Sequence, residues 1–312
     1  MRIPLIADID PVEQTLWLQS LNAALPELEI QPSPRFGDAE AREPTFAIVA
    51  NPRPEELRRF PNLVWVQSLW AGVEKMVRMP ELERIAIVRM QDPELARVMA
   101  EAVLAWTLYL HREMPAYARQ QRDRVWHQRP YTPPSQRRVG VLGSGNLGQA
   151  AIRSLQANGF DLCTWSRSPH RIEGVTHFAG IEQLDAMLGR CDILVMLLPL
   201  TPSTRHLLDG ERLDRCKPGA ALINFARAPI VDYDALVQRL DSGALSHAVL
   251  DVFEQEPLPA DSPLWAHPSI TLLPHISGPT DVGSAGRIVQ ANVRRYLADG
   301  SLPEAVDYRR GY

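Results

Sequence analysis

Three ionisable residues stand just beyond three apolar runs in the second half of the chain. Arg227 follows AALINF (220–225), Glu256 follows LSHAVLDV (245–252) and His275 follows SITLL (269–273). If such runs are strands of a parallel sheet, the residues after them emerge at its carboxyl edge, where ligands of open α/β sheets bind. This set suits reduction of a carbonyl by hydride. An imidazole protonates the developing alkoxide near neutral pH. A carboxylate on its other ring nitrogen holds the tautomer and favours the imidazolium. A guanidinium polarises the carbonyl and pairs with a substrate carboxylate. Taken singly, each has an ordinary structural reading, as a capping histidine, a surface glutamate or a salt-bridged arginine. The inference rests on the three together.

A second constellation has the form of a phosphate cradle. RVGVL (138–142) runs into Gly143-Ser144-Gly145-Asn146-Leu147-Gly148 and then into a helical apolar pattern. GxGxxG alone is a weak signal, and the bland reading is a tight turn without ligand. Between a strand and a helix, with a second strand ending about 20 residues on, it has the context that dinucleotide binding requires. Gly143 permits the turn, Gly145 lets backbone approach a pyrophosphate, and Gly148 lets helix and strand pack closely. Free N–H groups at the helix start meet the phosphate charge. The second strand, DLCTW (161–165), leads into WSRSPHR (165–171). An acid there would accept hydrogen bonds from a ribose 2′-OH and repel a 2′-phosphate. The chain offers Ser166, Arg167 and Ser168 instead, with Arg171 close by. A bidentate guanidinium and hydroxyl donors suit a phosphate, so the expected cofactor is NADPH/NADP. The alternative leaves Arg167 as a solvated loop residue. Leu198, Pro199, Phe225 and Ala226, where the following strands end, complete the expected cofactor path.

These residues need a scaffold, and the rest of the chain predicts one. IPLIAD (3–8), TFAIVA (45–50), LVWVQSL (63–69) and IAIVRM (85–90) read as buried strands, with helices at 12–25 and 54–60 between them. From residue 93, Leu95, Val98, Met99, Ala102, Val103, Trp106 and Leu110 recur at helical spacing, predicting one long amphipathic helix through PELARVMAEAVLAWTLYLHREMPAYARQQ. It is either a core helix joining domains or a subunit interface. After a Pro-rich break at 129–138, strands at 138–142, 161–165, 192–198, 220–225, 245–252 and 269–273 alternate with helices, and a last helix covers 282–300.

Composition narrows the function classes. The apolar fraction is 45%, the charged fraction 22% and the net charge −4, which suits a soluble protein and gives no electrostatic reason to expect a nucleic-acid partner. No apolar run approaches the roughly 18 residues of a membrane span, so no membrane is expected. Cys163, Cys191 and Cys216 are odd in number and widely spaced, as reduced thiols would be, and MRIPLIADID lacks the pattern of a signal peptide. A cytoplasmic location follows as an expectation. The eight histidines show no metal-ligand spacing, there is no GxxxxGK[ST] loop, and none of the seven tyrosines has a lysine four residues on.

INFARAPIVD (223–232), LDVFEQEPLP (250–259) and LLPHISGPT (272–280) resemble the signature segments of the D-isomer-specific 2-hydroxyacid dehydrogenases, closest to their glyoxylate/hydroxypyruvate reductase branch. The resemblance runs the whole chain, through SPLWAHP (262–268) to YRRGY (308–312). It implies an α/β protein of two doubly wound parallel-sheet domains. A flavodoxin-like substrate domain would span 1–98 plus 284–312 and a Rossmann NADP domain 99–283, with the active site in the cleft. It implies that Arg227, Glu256 and His275 are catalytic and that Asp251 meets the nicotinamide carboxamide. Trp70, Ala71 and Gly72, in SLWAGVEK (68–75), would face the carboxylate of a small 2-oxo acid. A homodimer through the long helix is implied as well. Trp70 stands where many relatives have Gly, which would narrow the pocket. Ala228 stands where Gly is commoner, and would strain the turn if that position needs φ > 0. Two alternatives stay open: the same fold working as a dehydrogenase of a 2-hydroxy acid, or as a nucleotide-sensing binding protein without turnover.

Overall fold

The apolar runs pair into two sheets in which every described strand pairing is parallel. The computed structural model describes residues 1–169 and 171–308. The chain divides into two units, Met1–Glu94 with the segment from Thr280 onward, and Leu95–Pro279.

In the first unit the order of elements is β1 (Arg2–Ala7), α1 (Pro11–Ala24), β2 (Glu29–Pro32), β3 (Phe46–Ala50), α2 (Pro54–Arg58), β4 (Trp65–Ser68) and β5 (Ala86–Val88). The sheet order β2-β1-β3-β4-β5 is that of flavodoxin-like folds. Asp10 starts α1 by accepting the Val12 N–H at 2.8 Å, with Pro11 pre-set for the first turn.

The second unit opens with α3 (Pro93–His111) and α4 (Met114–Arg122). The sequence pattern predicts one helix here. The structure breaks it at Glu113, whose φ is 55, because Pro115 has no N–H to donate to the preceding turn and its ring would clash with the His111 carbonyl, so it fits only in the first turn of a new helix. There follow β6 (Arg138–Leu142), α5 (Asn146–Ala157), β7 (Asp161–Ser166), β8 (Thr176–Ala179), α6 (Leu184–Leu188), β9 (Ile193–Met196), α7 (Gly210–Asp214), β10 (Ala220–Asn224), α8 (Tyr233–Asp241), β11 (Leu245–Leu250) and β12 (Ile270–Leu272). The order β12-β11-β10-β9-β6-β7-β8 is the Rossmann arrangement with one added edge strand, and its direction of winding reverses between β6 and β9. Alternate residues serve two cores, as strand geometry requires. Val139, Val141, Ile193, Val195 and Ile223 pack with Met99 and Val103 of α3 and Ile152 and Leu155 of α5. Leu142, Leu194, Met196, Leu222 and Leu250 pack with Leu184 and Leu188 of α6 and Leu236 of α8.

The last helix, α9 (Val282–Asp299), belongs to the first unit. Its Ala285, Val289 and Val293 are fully buried in one cluster with Leu21 of α1 and Leu25 just after it, and Tyr296 sets its ring edge-on to Trp65 at 5.4 Å. Beyond it Tyr308 donates to the Leu82 carbonyl at 2.6 Å. The remainder of the YRRGY motif, 309–312, lies outside the described residues, as does His170 of WSRSPHR. Among the described residues no helix is long and apolar enough to cross a membrane.

Candidate active site

β10, β11 and β12 are neighbours, so their carboxyl ends lie about 4.8 Å apart per step along one edge of the sheet. The segment after β10 is braced from within. Asn224, fully buried, accepts the Ala226 N–H at 3.1 Å and donates to the Arg227 carbonyl at 3.2 Å and the Tyr233 hydroxyl at 3.0 Å. Tyr233 in turn donates to the Val252 carbonyl at 2.9 Å, which ties the end of β10 to the end of β11. Sequence reasoning missed this brace. Its signal was a polar Asn closing an otherwise apolar strand. Arg227 is extended, with φ −145, and its Nη1 donates to the Ala226 carbonyl at 2.7 Å. Ala228 opens a single 3-10 turn and is not in the left-handed region, so the strain expected there is absent.

The left-handed residue of the site is His275 itself, with φ 54. A non-glycine residue in that region costs about 1–3 kcal/mol and persists only where its surroundings hold it. Asp251 supplies the hold. Only 2% exposed, it accepts the Ile276 N–H at 2.7 Å on one oxygen and the Ser277 N–H at 3.0 Å on the other. This clamp on the backbone after His275 was not expected from sequence. A carboxylate has roughly four lone-pair positions, so two remain for another donor such as a carboxamide.

His275 Nδ1 lies 2.8 Å from Glu256 Oε2, and Glu256 Oε1 accepts the Phe253 N–H at 2.8 Å. The bond to Glu256 raises His275 above the ordinary imidazole range, against burial and the charge of Arg227. For Glu256, burial pushes upward, but the hydrogen bonds from His275 and Phe253 and the charges of His275 and Arg227 bring it below the usual carboxylate value. Both shifts favour imidazolium beside carboxylate. The His275 side chain is 50% exposed, so Nε2, the nitrogen not facing Glu256, is within reach of a substrate.

The cradle lies on the same edge, at the switch between β6 and β9. A Cβ on Gly143, whose φ is 114, would sit 2.6 Å from the Leu197 carbonyl, and one on Gly148 would sit 1.8 Å from the Gly143 carbonyl. The fold itself demands those two glycines. Gly145 differs: a Cβ there meets nothing within 4 Å. The open space lies over the start of α5, which carries no side-chain cap and so keeps its N–H groups for an anion. Asn146 is exposed and Leu147 half-buried beside it. The residues present fit a dinucleotide. After β9, the Leu198–Pro199 segment is held by Thr204, whose Oγ1 donates to the Pro199 carbonyl at 2.7 Å and accepts the Thr201 N–H at 2.8 Å. Phe225 and Ala226 are each 4% exposed, so what they can offer a cofactor is backbone. At the end of β7, Arg167 and Ser168 are exposed, while the Ser166 hydroxyl donates to the Ser168 carbonyl at 2.8 Å. Ser166 therefore organises the turn rather than serving as a spare donor.

In the first unit, Ser68 ends β4 and its Oγ accepts the Trp70 N–H at 3.0 Å. The Trp70 ring packs edge-on to Trp17, with centroids 5.9 Å apart, so it is tied to that unit's core. Ala71 and Gly72 are partly exposed. Among the described residues no group of His, Cys, Asp or Glu could hold a metal, and the three cysteines are buried thiols.

An imidazole paired with a carboxylate, on the edge that carries a glycine cradle, is an arrangement suited to hydride-transferring dehydrogenases. Residues 104–277 match the family model for "D-isomer specific 2-hydroxyacid dehydrogenase, NAD binding domain", and the chain belongs to that family. It is 35% identical over 307 residues to a glyoxylate/hydroxypyruvate reductase A of Serratia proteamaculans (strain 568), across 95% of this chain and 96% of that one. A D-isomer specific 2-hydroxyacid dehydrogenase from Xanthobacter autotrophicus Py2, solved with NADPH and MES, superposes with a TM-score of 0.92 at 39% identity over 99% of each chain. An NADPH-dependent glyoxylate/hydroxypyruvate reductase from Sinorhizobium meliloti, solved with NADP and sulfate, gives a TM-score of 0.92 at 32% identity over 100% of this chain and 99% of that one.

Glu256→Gln tests the pair directly. If His275 is the proton donor in reduction, activity falls as pH rises through its pKa. Glu256 is what raises that pKa. Its loss therefore moves the basic limb of the pH dependence of kcat/KM to lower pH. A limb that stays in place would leave Glu256 a scaffold role only.

Proposed function

We propose that the protein reduces small 2-oxo acids with NADPH, glyoxylate to glycolate and hydroxypyruvate to D-glycerate. The observation that carries this reading is the His275–Glu256 pair at 2.8 Å on the edge shared with Arg227 and the glycine cradle. The names and bound cofactors of the Serratia, Xanthobacter and Sinorhizobium relatives support it. The reduced nicotinamide, when bound, supplies the hydride to the keto carbon. His275 Nε2 gives its proton to the oxygen, and Glu256 stabilises the imidazolium until then. Arg227 pairs with the substrate carboxylate and polarises the carbonyl. Amides around Ala71 and Gly72 take the rest of the carboxylate's charge, and Trp70 shapes the apolar side. Asp251 accepts from the carboxamide with its remaining lone pairs, while Arg167 and Ser168 bind the 2′-phosphate. The balance is 2-oxo acid, NADPH and a proton to 2-hydroxy acid and NADP⁺. Reversal uses the same groups.

The other reading, a nucleotide sensor without turnover, has no use for an imidazole tuned by a carboxylate. NADPH consumption with glyoxylate, hydroxypyruvate and larger 2-oxo acids, repeated with NADH, decides between them. Cofactor binding without turnover on any of these would favour the sensor. A cytoplasmic homodimer belongs to the same proposal. Met114, Val125, Trp126 and Tyr131, on and after α4, are large apolar side chains left exposed, Trp126 fully so. Light scattering should return about twice the 35.0 kDa of one chain.

Arg227→Lys keeps the charge and loses the planar fork, so KM for glyoxylate rises and kcat falls. Near-normal kinetics in this variant would take the carboxylate away from Arg227.

A further inference from the structure

We propose that His177 is a cofactor-selecting residue, which positions Arg167 by donating from Nε2 to the Ser166 hydroxyl and so locking the turn 166–168. The proposal deepens, and rests on, the reading that Arg167 grips the 2′-phosphate of NADPH.

His177 lies on β8, the edge strand, in register with Thr164 of β7. Strand alternation puts the side chains of Thr164 and Ser166 on one face, and His177 with them. From there the ring reaches diagonally, and Nε2 lies 2.8 Å from Ser166 Oγ. The same Oγ lies 2.8 Å from the Ser168 carbonyl. A carbonyl only accepts, so the single hydroxyl proton of Ser166 is committed to Ser168. Toward His177 the hydroxyl must then accept. The two bonds coexist only if Nε2 carries the proton, giving a relay from β8 through the end of β7 into the turn that bears Arg167.

That relay attaches the turn to the neighbouring strand through side chains. Without the donor, Ser166 can swing away from Ser168, and Arg167 is presented in more than one direction. The penalty falls on the cofactor with a 2′-phosphate, because NADH places no charged group there. His177 thus acts through Ser166 on Arg167 and touches no reacting atom.

The test compares kcat/KM for NADPH and for NADH in the full-length enzyme and in His177→Leu, His177→Gln, Ser166→Ala, the His177→Leu/Ser166→Ala pair and Arg167→Ser. Glutamine supplies an N–H that can take over the bond to Ser166. The NADPH:NADH ratio should fall about three- to tenfold in His177→Leu, the effect of one hydrogen bond, through KM for NADPH rather than kcat. His177→Gln should recover most of the loss. Leucine should add little on top of Ser166→Ala, since both break one relay. The proposal is overturned if leucine weakens both cofactors alike, or if leucine and glutamine lower the ratio equally. It is overturned alone if Arg167→Ser collapses the ratio while His177→Leu leaves it intact. A ratio unchanged in Arg167→Ser would overturn the phosphate grip and this proposal together.

Discussion

Replacing His275 by Asn or Ala lowers 2-oxo acid reduction by about 10²–10⁴-fold and leaves NADPH binding near the wild-type level. The size is that of a lost general acid. Its selectivity follows from topology: His275 emerges after β12, at one edge of the sheet, whereas the cradle emerges after β6, four strands away. Asn is the more informative replacement. His275 has φ 54, and Asn tolerates the left-handed region better than other non-glycine residues, so the backbone that Asp251 clamps has no new reason to move. A loss of rate in that variant is then a loss of proton donation and not of scaffold. The measurement is kcat at saturating NADPH beside an NADPH titration by fluorescence. A fall of less than about tenfold would remove His275 from the acid role.

Why His275 stands out in the sequence, and the clamp behind it does not, is a matter of what leaves a pattern. Strands of a covered parallel sheet are apolar along most of their length, so β1, β3, β4, β5, β6, β7, β9, β10, β11 and β12 stand out, and with them the residues that follow them. β2 (EIQP) and β8 (THFA) did not stand out. Both are four-residue edge strands with a solvated side, where Pro and His are tolerated and no apolar run is needed. His177 was hidden for that reason. The proline of EMP marked the end of α3 and was overridden by the apolar periodicity on either side of it. The backbone of the site was less legible still. A glycine advertises a positive φ, and Ala228 stands where Gly is commoner, but the residue of the site that adopts it is a histidine, His275. Asp251 was assigned to a ligand on resemblance. Its two bonds to the backbone of Ile276 and Ser277 join β11 to β12 across 25 residues of chain, a pairing that has no local signature.

Arg167→Ser collapses the preference between cofactors without disturbing the chemistry at His275. A hydrogen bond to a charged group contributes about 1.5–3 kcal/mol, so a neutral side chain here weakens the grip on NADPH on the order of 10- to 150-fold. NADH has nothing for the guanidinium to hold, and its kcat/KM hardly changes. An acid in place of Ser166 goes further. A carboxylate repels the 2′-phosphate and accepts from a free 2′-OH, as in NAD-selective relatives of the fold. It also keeps a partner in His177, since the Nε2 donor that serves the hydroxyl serves a carboxylate equally well. What it gives up is the bond to the Ser168 carbonyl, because a carboxylate has no proton to donate. The turn then loses its inner tie just as its positive charge is cancelled, so Ser166→Asp should favour NADH outright where Arg167→Ser only levels the two. The comparison is kcat/KM for each cofactor in the wild type and both variants. A wild type that already prefers NADH, or an equal loss with both cofactors in Arg167→Ser, would return Arg167 to the solvent.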